Sequence, residues 1–481
     1  MRNLFKTKSI QDLQLSNEEG VTLKRSLSRN SLVMLGIGAI IGAGIFSITG
    51  TAAATSAGPA IVISFIIAGI ACACAGLCYA EMASMIPMSG SAYTYAYATI
   101  GEVFAWIIGW DLILEYLFSA STVAVAWSGY MVSFLSDFNI NLPLELVSAP
   151  VNYIKGEGWL LTGAYFNLPA MLIIALLTVI LVIGIKESAN FNNFMVVLKV
   201  SVIIMFIGIG IFYVDTDNWH PFIPETTSTG QFGWTGILKA SGIIFFAYIG
   251  FDTVSTAAQE SKNPQKDMAS GILISLAICT VLYILFSLVL TGLVHYPNLN
   301  VSAPAALAVD TMGEGLKWFK YLIKVGAIAG LSSAMLVMLM GQPRIFFAMS
   351  NDGLLPKFFG TIHSSFKTPY ISTIITGFFA ILLAGIFPIN ILGELVSIGT
   401  LFAFIIVCIA VLYLRKSKPD ADRPFKTPYV NVIAGLGILS CFAQMYFLEI
   451  ETWIRLIVWM ALGMVIYFLY SNKNSVLNKK A

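Results

Sequence analysis

Charge is what this sequence lacks most. Asp, Glu, Lys and Arg make up 11% of its 481 residues, and hydrophobic residues make up 58%. A soluble domain carries about a quarter charged residues, so a water-exposed globule of this length is excluded. Long polar stretches are missing too, which leaves no room for a separate catalytic domain, and no enzyme activity is expected. Histidine is scarce. His220, His295 and His363 all fall between apolar segments, so they cannot pair as haem ligands inside a membrane. The six cysteines (Cys72, Cys74, Cys78, Cys279, Cys408 and Cys441) lie within apolar segments and read as small core residues. No metal, cofactor or nucleic acid is expected. The first 30 residues lack an apolar run, so they are expected to be a tail and not a cleaved signal.

What is present is a series of apolar segments, each near the roughly 20 residues that cross a bilayer as a helix. Twelve are expected, at roughly 31–57, 59–85, 102–135, 166–185, 190–213, 232–260, 268–293, 319–347, 369–387, 391–414, 429–449 and 452–470. Positive charge is distributed unevenly between the connections. Arg2, Lys6, Lys8, Lys24, Arg25 and Arg29 precede the first span. Arg415, Lys416, Lys418, Arg423 and Lys426 follow the tenth, and Lys473, Lys479 and Lys480 follow the twelfth. On the other side Lys155, Lys317 and Lys320 are the main basic residues. The positive-inside rule puts both termini in the cytoplasm.

Two spans are interrupted. The first reads Gly36-Ile37-Gly38-Ala39-Ile40-Ile41-Gly42-Ala43-Gly44-Ile45-Phe46. Each glycine inside a helix costs about 1 kcal/mol relative to alanine. Such a run serves either close helix packing, with Gly38 and Gly42 as a small-xxx-small pair, or a helix that stops and restarts. A restart frees backbone groups that must line a cavity or meet a ligand. The second interruption is Gly242-Ile243-Ile244-Phe245-Phe246-Ala247-Tyr248-Ile249-Gly250-Phe251-Asp252, where Gly250 reads as a helix end and Asp252 as an N-cap. Interrupted helices in corresponding positions of two halves point to a secondary transporter's binding site.

The broken spans are five apart. Five is odd, so the second set of five enters from the opposite side, an inverted repeat by counting alone. The expected organisation is a cytoplasmic tail (1–30), a first five-helix repeat (31–213), a second (214–414), a basic loop with two further helices (415–470) and a C-terminal tail (471–481). The third span is long and is expected to tilt or bend. The loop of about 30 residues after it is expected to be a lid, an interfacial helix or disorder. Residues 303–315 form a second loop that could cap the entrance.

Further stretches complete the pattern. They are Tyr79-Ala80-Glu81-Met82-Ala83-Ser84-Met85-Ile86-Pro87 with Ser89-Gly90-Ser91-Ala92-Tyr93-Thr94-Tyr95, Gly109-Trp110-Asp111-Leu112-Ile113-Leu114-Glu115-Tyr116, Lys262-Asn263-Pro264, Arg344-Ile345-Phe346-Phe347-Ala348-Met349-Ser350 with Asp352-Gly353-Leu354-Leu355-Pro356, and Arg423-Pro424-Phe425-Lys426-Thr427-Pro428. Together they resemble the cationic amino acid transporter family of the amino acid–polyamine–organocation superfamily, bacterial type. Pro343 stands where a threonine is expected, and Gln259 where an acid is expected beside Glu260. The resemblance implies an all-α membrane fold of twelve helices: a five-plus-five inverted repeat plus two helices, with the first and sixth unwound at mid-membrane. It implies uptake of L-amino acids across the bacterial cell membrane. Members with a lysine in span five look proton-coupled.

A zwitterion needs two opposite partial charges close together. The restarted helix offers N–H groups to the carboxylate, here Gly42, Ala43 and Gly44. The helix that stops offers carbonyls to the ammonium, here Ile40 and Ile41, with Phe246, Ala247 and Ile249 from span six. Lys199 lies about nine residues into span five, roughly 14 Å along the helix. It is either a coupling group or a side chain snorkelling to the surface. The resemblance places it between spans one and eight, with Ser332 and Ser333 as candidate neighbours. Asp111 and Glu115 share a helix face. Glu115, Tyr116 and Leu331 are expected around the substrate side chain, and Phe246 could gate it. A channel is disfavoured because no ring of acids or filter-like sequence is present. A transporter-like sensor and an exchanger remain open, as do a preference for neutral amino acids or for arginine and lysine, and a small single-span membrane subunit.

Overall fold

The computed structural model describes residues 6–8, 27–88, 90–154, 158–184, 188–228, 230–258, 261–366 and 368–479. Among these, eight helical runs are long and apolar enough to cross a membrane, and three shorter apolar helices accompany them. Most of the N-terminal tail, Lys155, Gln259 and Glu260 lie outside the described residues.

The first apolar run begins as α1 (Arg29–Ile40), capped by the Ser28 side chain, which accepts the Ser31 N–H. It resumes as a π turn (Gly44–Ile48) and reaches Gly58, whose φ of 62° ends it. Then come α2 (Ile61–Met85), α3 (Ser91–Thr99), α4 (Glu102–Ile113) and α5 (Ser119–Ser136). A π turn (Leu114–Phe118) joins α4 to α5 and carries Glu115 and Tyr116. The remaining large helices are α6 (Leu168–Ile183), α7 (Ser188–Gly210), α8 (Gly233–Ile244), a short α9 (Thr253–Thr256), α10 (Pro264–Leu293), α11 (Pro304–Asp310), α12 (Lys317–Asn351), α13 (Tyr370–Ile386), α14 (Ile389–Ser417), α15 (Val430–Tyr446) and α16 (Ile450–Ile466).

Small residues let these helices approach closely, the packing solution available where lipid removes the hydrophobic drive. A Cβ on Gly36 of α1 would lie 2.4 Å from the Ser275 hydroxyl of α10, and one on Gly326 of α12 would meet Val202 of α7. All six cysteines are free and buried in this core.

Several expectations need correction. The chain is not wholly α. The loop after α5 contains an antiparallel hairpin, β1 (Val151–Ile154) with β2 (Gly158–Leu161), in the register Val151↔Leu161. Val151, Tyr153 and Trp159 are good strand formers, a short signal beside the longer helical ones. Between the second and third apolar runs lies α3, which is too short to cross a bilayer. Residues 303–315 are not a plain loop, because Pro304 opens α11 as an N-terminal proline does. Pro343 sits inside α12 without ending it.

The described ends of the chain meet on one face. Lys8 Nζ donates to Asp352 Oδ1 at 3.0 Å, and the Val476 N–H donates to the Asp352 carbonyl at 3.0 Å. Glu102 is buried there and accepts the Tyr97 and Tyr467 hydroxyls at 3.1 Å each, with Ser475 beside it. Arg415 grips Glu81 through two bonds of 2.8 Å, and the Thr427 N–H donates to the same carboxylate. The basic loop after α14 is thereby fastened to α2.

Candidate substrate and coupling site

The first break exposes backbone in a defined way. α1 ends at Ile40, Ile41 turns extended with ψ 100°, and the helix resumes at Gly44. The freed carbonyls are met by side chains. Lys199 Nζ donates to Gly38 O at 2.6 Å and to Ile41 O at 2.8 Å. The Tyr283 hydroxyl reaches Ile40 O at 2.9 Å, and that of Tyr130 reaches Phe46 O at 2.6 Å. Among the described residues, the N–H groups of Gly42 and Ala43 meet no acceptor. Unpaired, buried N–H groups at a helix start are the arrangement that holds a carboxylate.

The second break faces the first. α8 gives way to a 3-10 turn (Phe245–Tyr248), Ile249 is extended, and Gly250 takes φ 118°. Only glycine tolerates that conformation, and a Cβ there would lie 2.8 Å from the Ala39 carbonyl carbon. A Cβ on Gly44 would lie 2.3 Å from Cα of Ala247. The two interruptions therefore touch backbone to backbone. Tyr283 from α10 ties them together, because its hydroxyl also reaches Ala247 O at 2.8 Å. It carries one proton and can donate to one of the two carbonyls at a time.

The residues singled out from the sequence divide into groups. Lys199 is fully buried, and its third bond runs to Ser333 Oγ of α12 at 3.3 Å. An ammonium has three donors, and all three are used. A snorkelling lysine would be exposed at its tip, so that reading is set aside. Ser332 is placed elsewhere, donating to Ile328 O and accepting from Trp127 Nε1 at 2.9 Å. One residue of helix turns it about 100° away from Ser333. The Ile40, Ile41 and Ala247 carbonyls are already engaged, and Phe246 O accepts the Ile249 N–H. Each carbonyl still has a second lone pair for an ammonium.

Asp252 does not cap a helix. Its own backbone is helical (φ −65°, ψ −28°) where an N-cap residue is extended, and its side chain makes no capping hydrogen bond. Instead Asp252 Oδ2 accepts the Tyr116 hydroxyl at 3.0 Å. Tyr116 packs its ring on Gly341 of α12. Leu331 is fully buried in α12. Around Gly42 the neighbours are apolar: the position of its missing Cβ is 3.3 Å from Ala334 Cβ and 3.8 Å from a Val123 methyl. Tyr283 and Tyr130 carry no signal in the sequence that marks them as site residues. The tyrosines read as ordinary core aromatics, and only the fold reveals which carbonyls they meet.

On the hairpin face a cavity of 490 Å³ opens between the restarted first helix, α8, α14 and the loop after α5. Thr51, Thr55, Asn152, Gln231 and Asn390 line it, with Lys239 and Glu394 as its charged members. This vestibule mixes polar and apolar groups, and Ile48, just beyond the first break, is part of its lining.

The model of the family described as "Amino acid permease" matches residues 27–467, nearly the whole chain. The chain belongs to the amino acid permease family. This permease is 47% identical over 479 residues to the methylthioribose transporter of Bacillus subtilis (strain 168), covering 100% of both chains. It is equally similar, 47% over 478 residues and 99% of both, to the branched-chain amino acid permease BcaP of the same organism. The vacuolar cationic amino acid transporter 4 of Arabidopsis thaliana is 39% identical over 422 residues, 87% of this chain and 68% of the relative. The permease is a multi-pass membrane protein and not an enzyme.

Proposed function

We propose that this permease imports neutral L-amino acids with compact aliphatic side chains across a bacterial cell membrane, by proton symport. Twelve spans in two inverted sets of five plus two helices, with both breaks at mid-membrane, are the proposed architecture, and alternating access the proposed cycle. The carboxylate binds the N–H groups of Gly42 and Ala43, with Gly44 keeping the backbone close. The ammonium takes carbonyls of Ile40, Ile41, Ala247 and Ile249. Val123 and Ala334, apolar and beside Gly42, favour an aliphatic side chain over a cationic one.

One observation carries the coupling. Lys199 links the first break to α12 through Gly38, Ile41 and Ser333. A charged amine holds that link, and a neutral one keeps at most two donors and lets it loosen. Leucine uptake into proteoliposomes should follow an inward proton gradient without sodium, and Lys199→Ala should bind leucine yet lose gradient-driven accumulation. A sodium requirement, or undiminished accumulation in the variant, would overturn the reading. A second reading rests on the relative that carries methylthioribose. That ligand has no carboxylate for the Gly42 and Ala43 N–H groups, and direct competition between leucine and methylthioribose for uptake decides between the two.

A further inference from the structure

Below the breaks, the interior holds carboxylates that the proposed coupling does not use. Glu115, on the π turn between α4 and α5, is 1% exposed, and neither of its oxygens has a hydrogen-bond partner among the described residues. Asp252, just past the second break, is fully buried and has one free oxygen, Oδ1. The two carboxylates face each other. Thr400 of α14 also faces Glu115, is fully buried, and has an unpartnered hydroxyl. Leaving that many polar atoms unpaired in a dry interior costs about 1–3 kcal/mol each, so the arrangement implies a missing ligand.

The surroundings decide which ligand. From α2, Tyr79 faces the pair, and from α3, Tyr95 faces Asp252. Asp111 of α4 approaches Glu115, and Tyr116 donates its hydroxyl to Asp252. α9 adds Thr253 beside Tyr116, and α12 adds Gly341 under the Tyr116 ring. The neighbours that act on the pair are acids, phenols and hydroxyls, with no lysine or arginine among them. No group of acids among the described residues is arranged to hold a metal ion.

A single proton closes the accounts. Placed on Glu115, it makes that carboxyl a donor to Asp252 Oδ1, and its other oxygen accepts from Thr400. Four orphaned atoms gain partners at once. We infer that Glu115 and Asp252 share one buried proton and form a second proton-binding site, which ties the π turn beside α5 to the segment after the second break. The proton comes from water and returns to water. When it leaves, two like charges face each other and the tie opens. The transport role rests on the proton symport proposed above, while the shared proton itself does not.

Infrared difference spectra of the purified full-length protein, recorded across pH, test the site. The wild type should show a protonated carboxyl stretch that disappears on alkalinisation. Glu115→Gln and Asp252→Asn should each lose it, since an amide donates to the remaining carboxylate without a proton. Lys199→Ala should keep it. Absence of the band in the wild type, or its persistence in both amide variants, overturns the site. In proteoliposomes Glu115→Gln should accumulate leucine at least about tenfold less under a proton gradient, because its amide holds the tie closed. Equal accumulation overturns the transport role. Failure of the symport reading looks different: wild-type uptake then ignores the gradient while the band is still present.

Discussion

At the residue scale, the unusual feature is how backbone carbonyls are shared between side chains and a future ligand. Tyr283 is the clearest case. Its hydroxyl reaches a carbonyl from each break, Ile40 and Ala247. Removing it takes away the one donor these two buried acceptors share, a loss of about 1–3 kcal/mol. Tyr283→Phe should therefore lower the thermal midpoint of the ligand-free protein. A bound ammonium would replace the missing donor, so the stabilisation by leucine should exceed that of the wild type. Thermal-shift curves with and without leucine measure both effects. An unchanged or smaller leucine shift would argue against carbonyl recognition of the ammonium. Lys199 shows the same logic in charged form, with each N–H assigned to a different acceptor.

At the element scale, the glycines of the first break have distinct tasks. A Cβ on Gly44 would collide with the Ala247 backbone, so Gly44→Val must push the two breaks apart. From the glycine pattern alone, such a variant would be expected to fold and merely fail to bind. The contact with Ala247 changes that expectation: the purified variant should unfold at a lower temperature and not bind. Gly42→Ala is the sharper probe. Its methyl would sit 3.3 Å from Ala334 Cβ, a fit reached by a few tenths of an ångström of movement. It should fold normally and transport about tenfold more slowly, because the methyl narrows the cradle. Normal transport with normal folding would assign this stretch to helix packing alone. The π turn in the third span is an element no periodicity announced. The extra residue in that turn re-aims Glu115 and Tyr116 while the flanking helices stay continuous, as π-bulges do.

For the whole molecule, the two faces differ in what holds them. Lys8 and the C-terminal segment both dock at Asp352, the end of α12. Lys317 starts that same helix, 35 residues away, or about 52 Å by helix rise. It therefore lies on the face opposite the termini. From the asymmetry of lysine and arginine we propose that the terminal face is cytoplasmic. A cysteine at position 317 in an otherwise cysteine-free protein should react with an impermeant maleimide on intact cells, whereas one at Lys473 should react only after permeabilisation. The reverse pattern would invert the topology and send the vestibule to the wrong side for uptake.

The sequence by itself determined the class of this protein and the two stretches where helical runs are interrupted. Both follow from local chemistry: apolar runs have no stable place in water, and glycine and the residues near it set where helical hydrogen bonding fails. The interruptions at 36–46 and 242–252 and the lysine in the fifth span were legible for that reason. Membership of the amino acid permease family followed from stretches spread along the chain. Tertiary structure alone decided the partners. That Lys199 meets Ser333 and not Ser332, that Asp252 meets Tyr116 instead of capping a helix, and that Glu115 faces Asp252 depend on which faces of distant helices are brought together. A one-residue change of register on a helix turns a side chain by about 100°. No pattern along the chain encodes that rotation, and only the packed molecule resolves it.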